Sequence, residues 1–136
     1  MMQKIQEYRA KIKEVGLKAT PQRISILKVL TETDCHPSAD MLIKMLEKEG
    51  HVMSVGTIYN ILDTFEEKGL IIKLHDQNEV MRFDAITTFH VHMIDDETNN
   101  IQDVHDEKLE SLITQRLNEI LPEGLTYNHM ELILRV

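Results

Sequence analysis

His90 and His92 are the side chains best placed to do chemistry, because carboxylates and a third imidazole accompany them at suitable spacings. Asp84 lies six residues before His90, Asp103 lies eleven after His92, and His36 precedes a proline far upstream. Imidazole and carboxylate without thiolate favour a hard or borderline divalent ion such as iron or manganese. Residues two apart share a face in a strand but not in a helix. The pair therefore needs the strand that Phe89–Ile94 offers, with Phe89, Val91 and Met93 on one face and His90, His92 and Ile94 on the other. A polar turn over Asp95–Asn100 and a return strand over Ile101–His105 complete a hairpin. Closure about Glu97-Thr98 sets His92 opposite Asp103 and His90 opposite His105; a shift of one residue sets His92 opposite His105 instead. Spacing alone leaves a metal site and a chance polar cluster equally open. His51 and His75 read as surface histidines, His105 and His129 as structural or polar, and Met41, Met45 and Met53 as core fillers.

The elements that must carry these residues follow from periodicity and caps. Gln3–Val15 fits a helix with Ile5, Tyr8, Ile12 and Val15 on one stripe, ended by Gly16. Thr20-Pro21 is an N-cap followed by proline at the first helical position, and Ile24, Leu27 and Leu30 give the second helix its inner face. Ser38 caps a third helix closed by Gly50, and Ser54 opens a fourth through Lys68, stopped by Gly69. Leu70–His75 and Glu79–Phe83 are expected as strands around an Asp76-Gln77-Asn78 turn. Three helices and a hairpin make a winged helix-turn-helix, here behind one extra helix. Beyond it, the expected order is two strands, a helix capped by Asp106 and running to about Ile120, and a last strand over Leu125–Val136. The fold class is thus mixed α/β, with a winged-helix domain over residues 1–84, a hinge over 85–88, and a β-β-α-β domain over 89–136. The second unit is small, and its uncovered sheet edge is expected to pair with a second copy.

Composition narrows the function. At 136 residues and 42% hydrophobic, the chain suffices for one compact domain or two small ones. It has no apolar run long enough to span a membrane, and its amphipathic N-terminus lacks the apolar centre of a secretory signal, so a cytoplasmic protein is expected. The single cysteine, Cys35, excludes an internal disulfide and a cysteine zinc knuckle. The net charge of −8 is unevenly spread. Residues 1–30 carry seven basic and two acidic side chains (+5), whereas residues 81–136 carry four and eleven (−7). A basic front and an acidic rear suit a chain with one half facing DNA. In a winged helix the second helix of the turn motif enters the major groove. With Ile58 and Ile61 inward, Thr57, Tyr59 and Asn60 point outward and can meet phosphates, thymine methyls and adenine edges. An ordinary polar helix face fits the same pattern equally well.

Gly16-Leu17-Lys18-Ala19-Thr20-Pro21-Gln22-Arg23, His36-Pro37-Ser38-Ala39-Asp40, Thr57-Ile58-Tyr59-Asn60-Ile61-Leu62, Gly69-Leu70, Arg82-Phe83-Asp84 and His90-Val91-His92 together resemble the ferric uptake regulator family. The resemblance covers most of the chain. It implies a homodimeric, metal-dependent regulator, usually a repressor, that binds a palindromic DNA operator and is not an enzyme. It implies DNA contacts by Tyr59 and its neighbours, so that Lys18, Arg23, Thr57, Tyr59 and Asn60 are the candidates, and dimerisation from about residue 85 onward. It carries His36, Asp84, His90, His92 and Asp103 over as one regulatory Fe²⁺ or Mn²⁺ site, in which Zn²⁺ can substitute in vitro. Such a site would fasten the two domains in one orientation. Aspartate rather than glutamate at 103 resembles the peroxide-sensing branch, in which iron and peroxide oxidise a ligand histidine, by position His36 or His90.

The sequence departs from the family in two places. Met93–Thr98 holds no Cys-x-x-Cys, and the sequence reaches Val136 without the family's second cysteine pair, so no structural zinc is expected. Phe89 and Val91 stand where a second family metal site has ligands, although His129 is kept. The rivals are an iron- or zinc-responsive uptake regulator without oxidation chemistry, a metal-independent DNA-binding protein, and a small metallohydrolase built on His90 and His92. The last lacks an evident general base.

Overall fold

The computed structural model describes residues 2–33, 35–85, 89–127 and 130–136. The chain divides into two compact units, Met1–Thr87 and Thr88–Val136. Residues 86–88 of the expected hinge, and His129, lie outside the described residues.

The first unit runs α1 (Met2–Glu14), α2 (Pro21–Glu32), α3 (Ala39–Lys48), α4 (Val55–Glu67), β1 (Ile72–His75) and β2 (Met81–Asp84). Each of the last three helices starts where a hydroxyl meets an orphan backbone N–H. Thr20 Oγ1 accepts from Arg23 N at 3.3 Å, Ser38 Oγ from Met41 N at 3.3 Å, and Ser54 Oγ from Thr57 N at 3.1 Å. Gly69 follows α4 at φ 78°, a left-handed conformation that lets Leu70 N reach back to Phe65 O at 2.9 Å and turns the chain into the hairpin. The apolar faces of the four helices meet in one core, where Ile12, Ile26, Leu42, Leu62 and Phe65 are fully buried. Tyr8 packs into it from α1, and burial, with Glu32 next, pushes its phenol above the ordinary value.

The β1–β2 hairpin is antiparallel, with Ile72 opposite Asp84 and His75 opposite Met81. It is shorter than expected at its start and at its turn. Leu70 and Ile71 pack on the helical core instead of extending β1. Glu79 adopts φ 61° and cannot pair, because Asp76 organises a wider turn. Its Oδ1 accepts from Asn78 N at 2.8 Å and Val80 N at 3.0 Å. Lys73 of β1 ties the hairpin to α4 by contacts to Asp63 at 3.0 Å and Glu66 at 3.4 Å. The Asp63 bond, opposed by partial burial and helped by Glu66, holds its ammonium above the ordinary lysine value.

The second unit has β3 (Val91–Ile94), β4 (Ile101–Val104), α5 (Glu107–Ile120) and β5 (Leu132–Arg135). β3 is central, antiparallel to β4 and parallel to β5. A parallel neighbour requires a long crossover, which β4 and α5 supply. Asp106 caps α5 by accepting from Leu109 N at 3.0 Å. The last strand occupies only the end of the expected Leu125–Val136 span, because the ladder it joins offers only Val91–Ile94. Val91, His92 and Ile94 are buried, whereas no side chain of α5 is fully buried.

Candidate metal centre

Each unit presents a histidine–carboxylate constellation of its own. In the first, His36 and Asp84 are both about 5% exposed, and His36 Nε2 lies 3.2 Å from Asp84 Oδ2. The two residues are 48 apart in sequence, and β2 brings them together. Arg82 Nη1 donates to His36 O at 2.8 Å, and Phe83 N donates to Pro37 O at 3.0 Å. The segment between α2 and α3 is thereby laid along the strand that ends in Asp84. Cys35, beside His36, is exposed, with its Sγ 3.2 Å from Thr33 Oγ1.

In the second unit the observed register places His92 opposite Asp103, as symmetric closure of the hairpin predicts. His92 Nδ1 lies 3.0 Å and His90 Nε2 lies 3.3 Å from the same oxygen, Asp103 Oδ1. The imidazole rings meet edge to face at 4.2 Å between centroids. The donor atoms of this trio all lie within 4.8 Å of one another. His105 stays out of the trio; its Nδ1 lies 3.1 Å from Phe89 O.

The donor chemistry fits a divalent cation. Burying a carboxylate is costly unless opposite charge or hydrogen bonds compensate; Asp84 is buried beside His36, and the partly buried Asp103 lies beside the buried His90 and His92. An octahedral ion with bonds of about 2.1 Å holds adjacent ligand atoms about 3 Å apart. The separations of 3.2, 3.0 and 3.3 Å match that spacing within each unit.

Of the residues expected at the DNA, four gather around one cleft of about 380 Å³ in the first unit: Lys18, Arg23, Thr57 and Asn60. Thr20, the cap of α2, lines it too. Arg23 Nη1 donates to Lys18 O at 2.9 Å, which steadies the basic wall. Tyr59 is not part of the lining; it projects from α4 at 46% exposure, while its neighbours Ile58 and Ile61 are buried.

Asp76 and Arg82 also bear on His36, although the sequence marks them only as a turn residue and as part of a motif. Asp76 was legible as a turn former, but no local pattern shows Arg82 reaching the backbone of His36.

A model of the ferric uptake regulator family matches residues 14–134. The chain belongs to the ferric uptake regulator family. Members of this family are transcription regulators, not enzymes; they bind DNA operators and act as dimers. Family membership removes the metallohydrolase reading. Among curated relatives, the "Peroxide operon regulator" of Bacillus subtilis is 42% identical over 94 residues, 69% of this chain and 65% of that protein. The "Peroxide-responsive repressor PerR" of Staphylococcus epidermidis is 30% identical over 128 residues, 94% of this chain and 85% of that one. Among solved structures, the ferric uptake regulator of Pseudomonas aeruginosa with manganese superposes with a TM-score of 0.79 at 25% identity, covering 95% of this chain and 96% of that one. Family structures include metal-bound forms, one with manganese and one with iron. No helix among the described residues is long and apolar enough to cross a membrane.

Proposed function

We propose that the chain is a peroxide-sensing, metal-dependent repressor, cytoplasmic and homodimeric, that reads a palindromic operator. The observation that carries this reading is the pairing of buried imidazole with carboxylate, free of thiolate, in both units. We assign His36, Asp84, His90, His92 and Asp103 to one Fe²⁺ or Mn²⁺ ion. Three neutral imidazoles and two carboxylates sum to −2 and match a divalent charge. A ligand set drawn from both units ties the DNA-reading unit to the dimerising one, and the coupling such switches supply is about 1–3 kcal/mol. Lys18, Arg23, Thr57, Tyr59 and Asn60 are the proposed DNA contacts, the basic pair on phosphates and the α4 residues on base edges.

The residues of the chain hold, orient and shield. His92 and Asp103 sit in register on paired strands, and the burial of His36, His90 and His92 keeps bulk water from the imidazoles. When bound, ferrous iron would act as the catalyst of O–O cleavage, lending an electron that the net reaction returns to it. In net terms one peroxide oxygen enters a carbon–hydrogen bond of His36 or His90 and the other leaves as water. The curated relatives named for peroxide response, and aspartate at 103, support this over plain metal sensing.

Anaerobic loading with ferrous iron, addition of peroxide and peptide mass mapping test the reading. The expected result is one added oxygen on His36 or His90 together with loss of operator binding. Unmodified histidines at full metallation would instead leave a reversible metal-responsive regulator, the reading favoured by the likeness to the manganese-containing P. aeruginosa structure.

A further inference from the structure

We infer that Arg82 and Asp76 are positioning residues for the ligand His36, an assignment that rests on the metal-site reading above. Arg82 uses two different N–H groups on two targets. Nε donates to Asp76 Oδ2 at 3.0 Å, and Nη1 donates to the backbone oxygen of His36 at 2.8 Å. Asp76 is 2% exposed and the Arg82 side chain 12%, so the pair sits largely away from solvent. A buried ion pair is a weak source of stability, because desolvation offsets much of its attraction. Its geometry, by contrast, is well determined. The second Asp76 oxygen is held by the N–H groups of Asn78 and Val80, so the carboxylate cannot rotate freely and the guanidinium plane is set by it.

The consequence falls on His36. Arg82, Phe83 and Asp84 are consecutive on β2. The first holds the carbonyl of His36, the second holds the carbonyl of Pro37, and the third meets the imidazole. Two fixed carbonyls set the backbone at residues 36–37, and with it the direction in which the imidazole leaves the chain. The wing turn and the metal-ligand loop therefore share one anchor, Asp76. Lysine could keep the charge opposite Asp76 but cannot donate to both targets with a rigid fork.

Manganese titration followed by electron paramagnetic resonance, which reports free Mn²⁺, tests the assignment on the full chain. Arg82→Lys keeps a cation beside Asp76. It is expected to weaken Mn²⁺ binding about tenfold to a hundredfold, the range typical when the support of a ligand is lost. In a His36→Ala background the same substitution should weaken binding no further, because there is no ligand left to position. Parent-like affinity in Arg82→Lys, with affinity lost in His36→Ala, overturns the inference and leaves the metal site standing. A further loss in the His36→Ala background overturns it too, since the effect would then be general. Parent-like affinity in His36→Ala itself removes the metal-site reading and this inference with it. Should Arg82→Lys not fold, Asp76→Asn keeps an acceptor for the turn and removes the anion that orients Arg82; the same cycle applies, with the same outcomes.

Discussion

In Met1–Thr87 the helices α2, α3 and α4 each bury an apolar stripe, whereas in Thr88–Val136 the helix α5 buries no side chain fully. The second unit instead exposes Leu112, Ile120, Leu125 and Leu134, each near half of its surface. The difference is whether the chain itself provides the opposing face. The first unit closes its core with four helices and a hairpin. The second has a three-stranded sheet and one helix, which leaves apolar surface for a partner. A second copy is the occupant that fits, because family members act as dimers. The two units are therefore expected to respond to mutation through different observables.

The largest effect should come from the closed core. Phe65 is 0% exposed at the centre of the first unit. Phe65→Ala is expected to lower unfolding free energy by about 3–5 kcal/mol, through lost burial and the cavity left behind. Urea unfolding followed by circular dichroism measures it. A loss below about 1 kcal/mol would mean that this core is far looser than its burial implies.

Leu112 probes the open side of the comparison. It is 55% exposed on α5, so in an isolated chain its replacement costs little. Leu112→Glu is expected to raise the dimer dissociation constant at least about tenfold, or about 1.4 kcal/mol. Sedimentation equilibrium reads the shift. An unchanged constant would place the dimer contact away from this face of α5 and dissolve the contrast drawn between the units.

What the sequence reveals divides along local and distant determinants. Thr20, Ser38, Ser54 and Asp106 were legible as caps because a cap depends on a side chain and an N–H a few residues away. The His92–Asp103 register is one of two that the sequence leaves open, because a turn shifted by one residue would set His92 opposite His105; the observed ladder selects between them. The parallel placement of β5 was not legible, because nothing in Leu125–Val136 names its neighbour. Glu79 and Val80 carry a strand-like pattern yet lie outside β2, because the Asp76 side chain, not the apolar alternation, decides where pairing resumes. For the candidate site, spacing places His90 and His92 on one strand face but leaves a metal site and a chance cluster equally open; the set of five comes from the family resemblance. The support of His36 could not be read from the sequence: Arg82 lies 46 residues from the carbonyl it holds.

The smallest effect concerns how firmly the first unit holds its hairpin. Lys73 joins β1 to α4 through Asp63 and Glu66, which are themselves 67% and 44% exposed. Solvent screening limits such a pair to about 0.2–1 kcal/mol, and Lys73→Met should cost an amount in that range near neutral pH. The ammonium is held above its ordinary value of 10.5, chiefly by the bond to Asp63. A lysine with a raised folded-state pKa stabilises fully below the unfolded value and loses that contribution as pH rises through the folded one. The difference between Lys73→Met and the parent should therefore persist at pH 8 and shrink above pH 10.5. Tyr8, whose phenol is also pushed up, weakens both proteins in the same alkaline window and cancels from the difference. Paired urea titrations at the two pH values measure the change. A gap that stays constant across them would assign the role of Lys73 to the packing of its aliphatic stem, not to its charge.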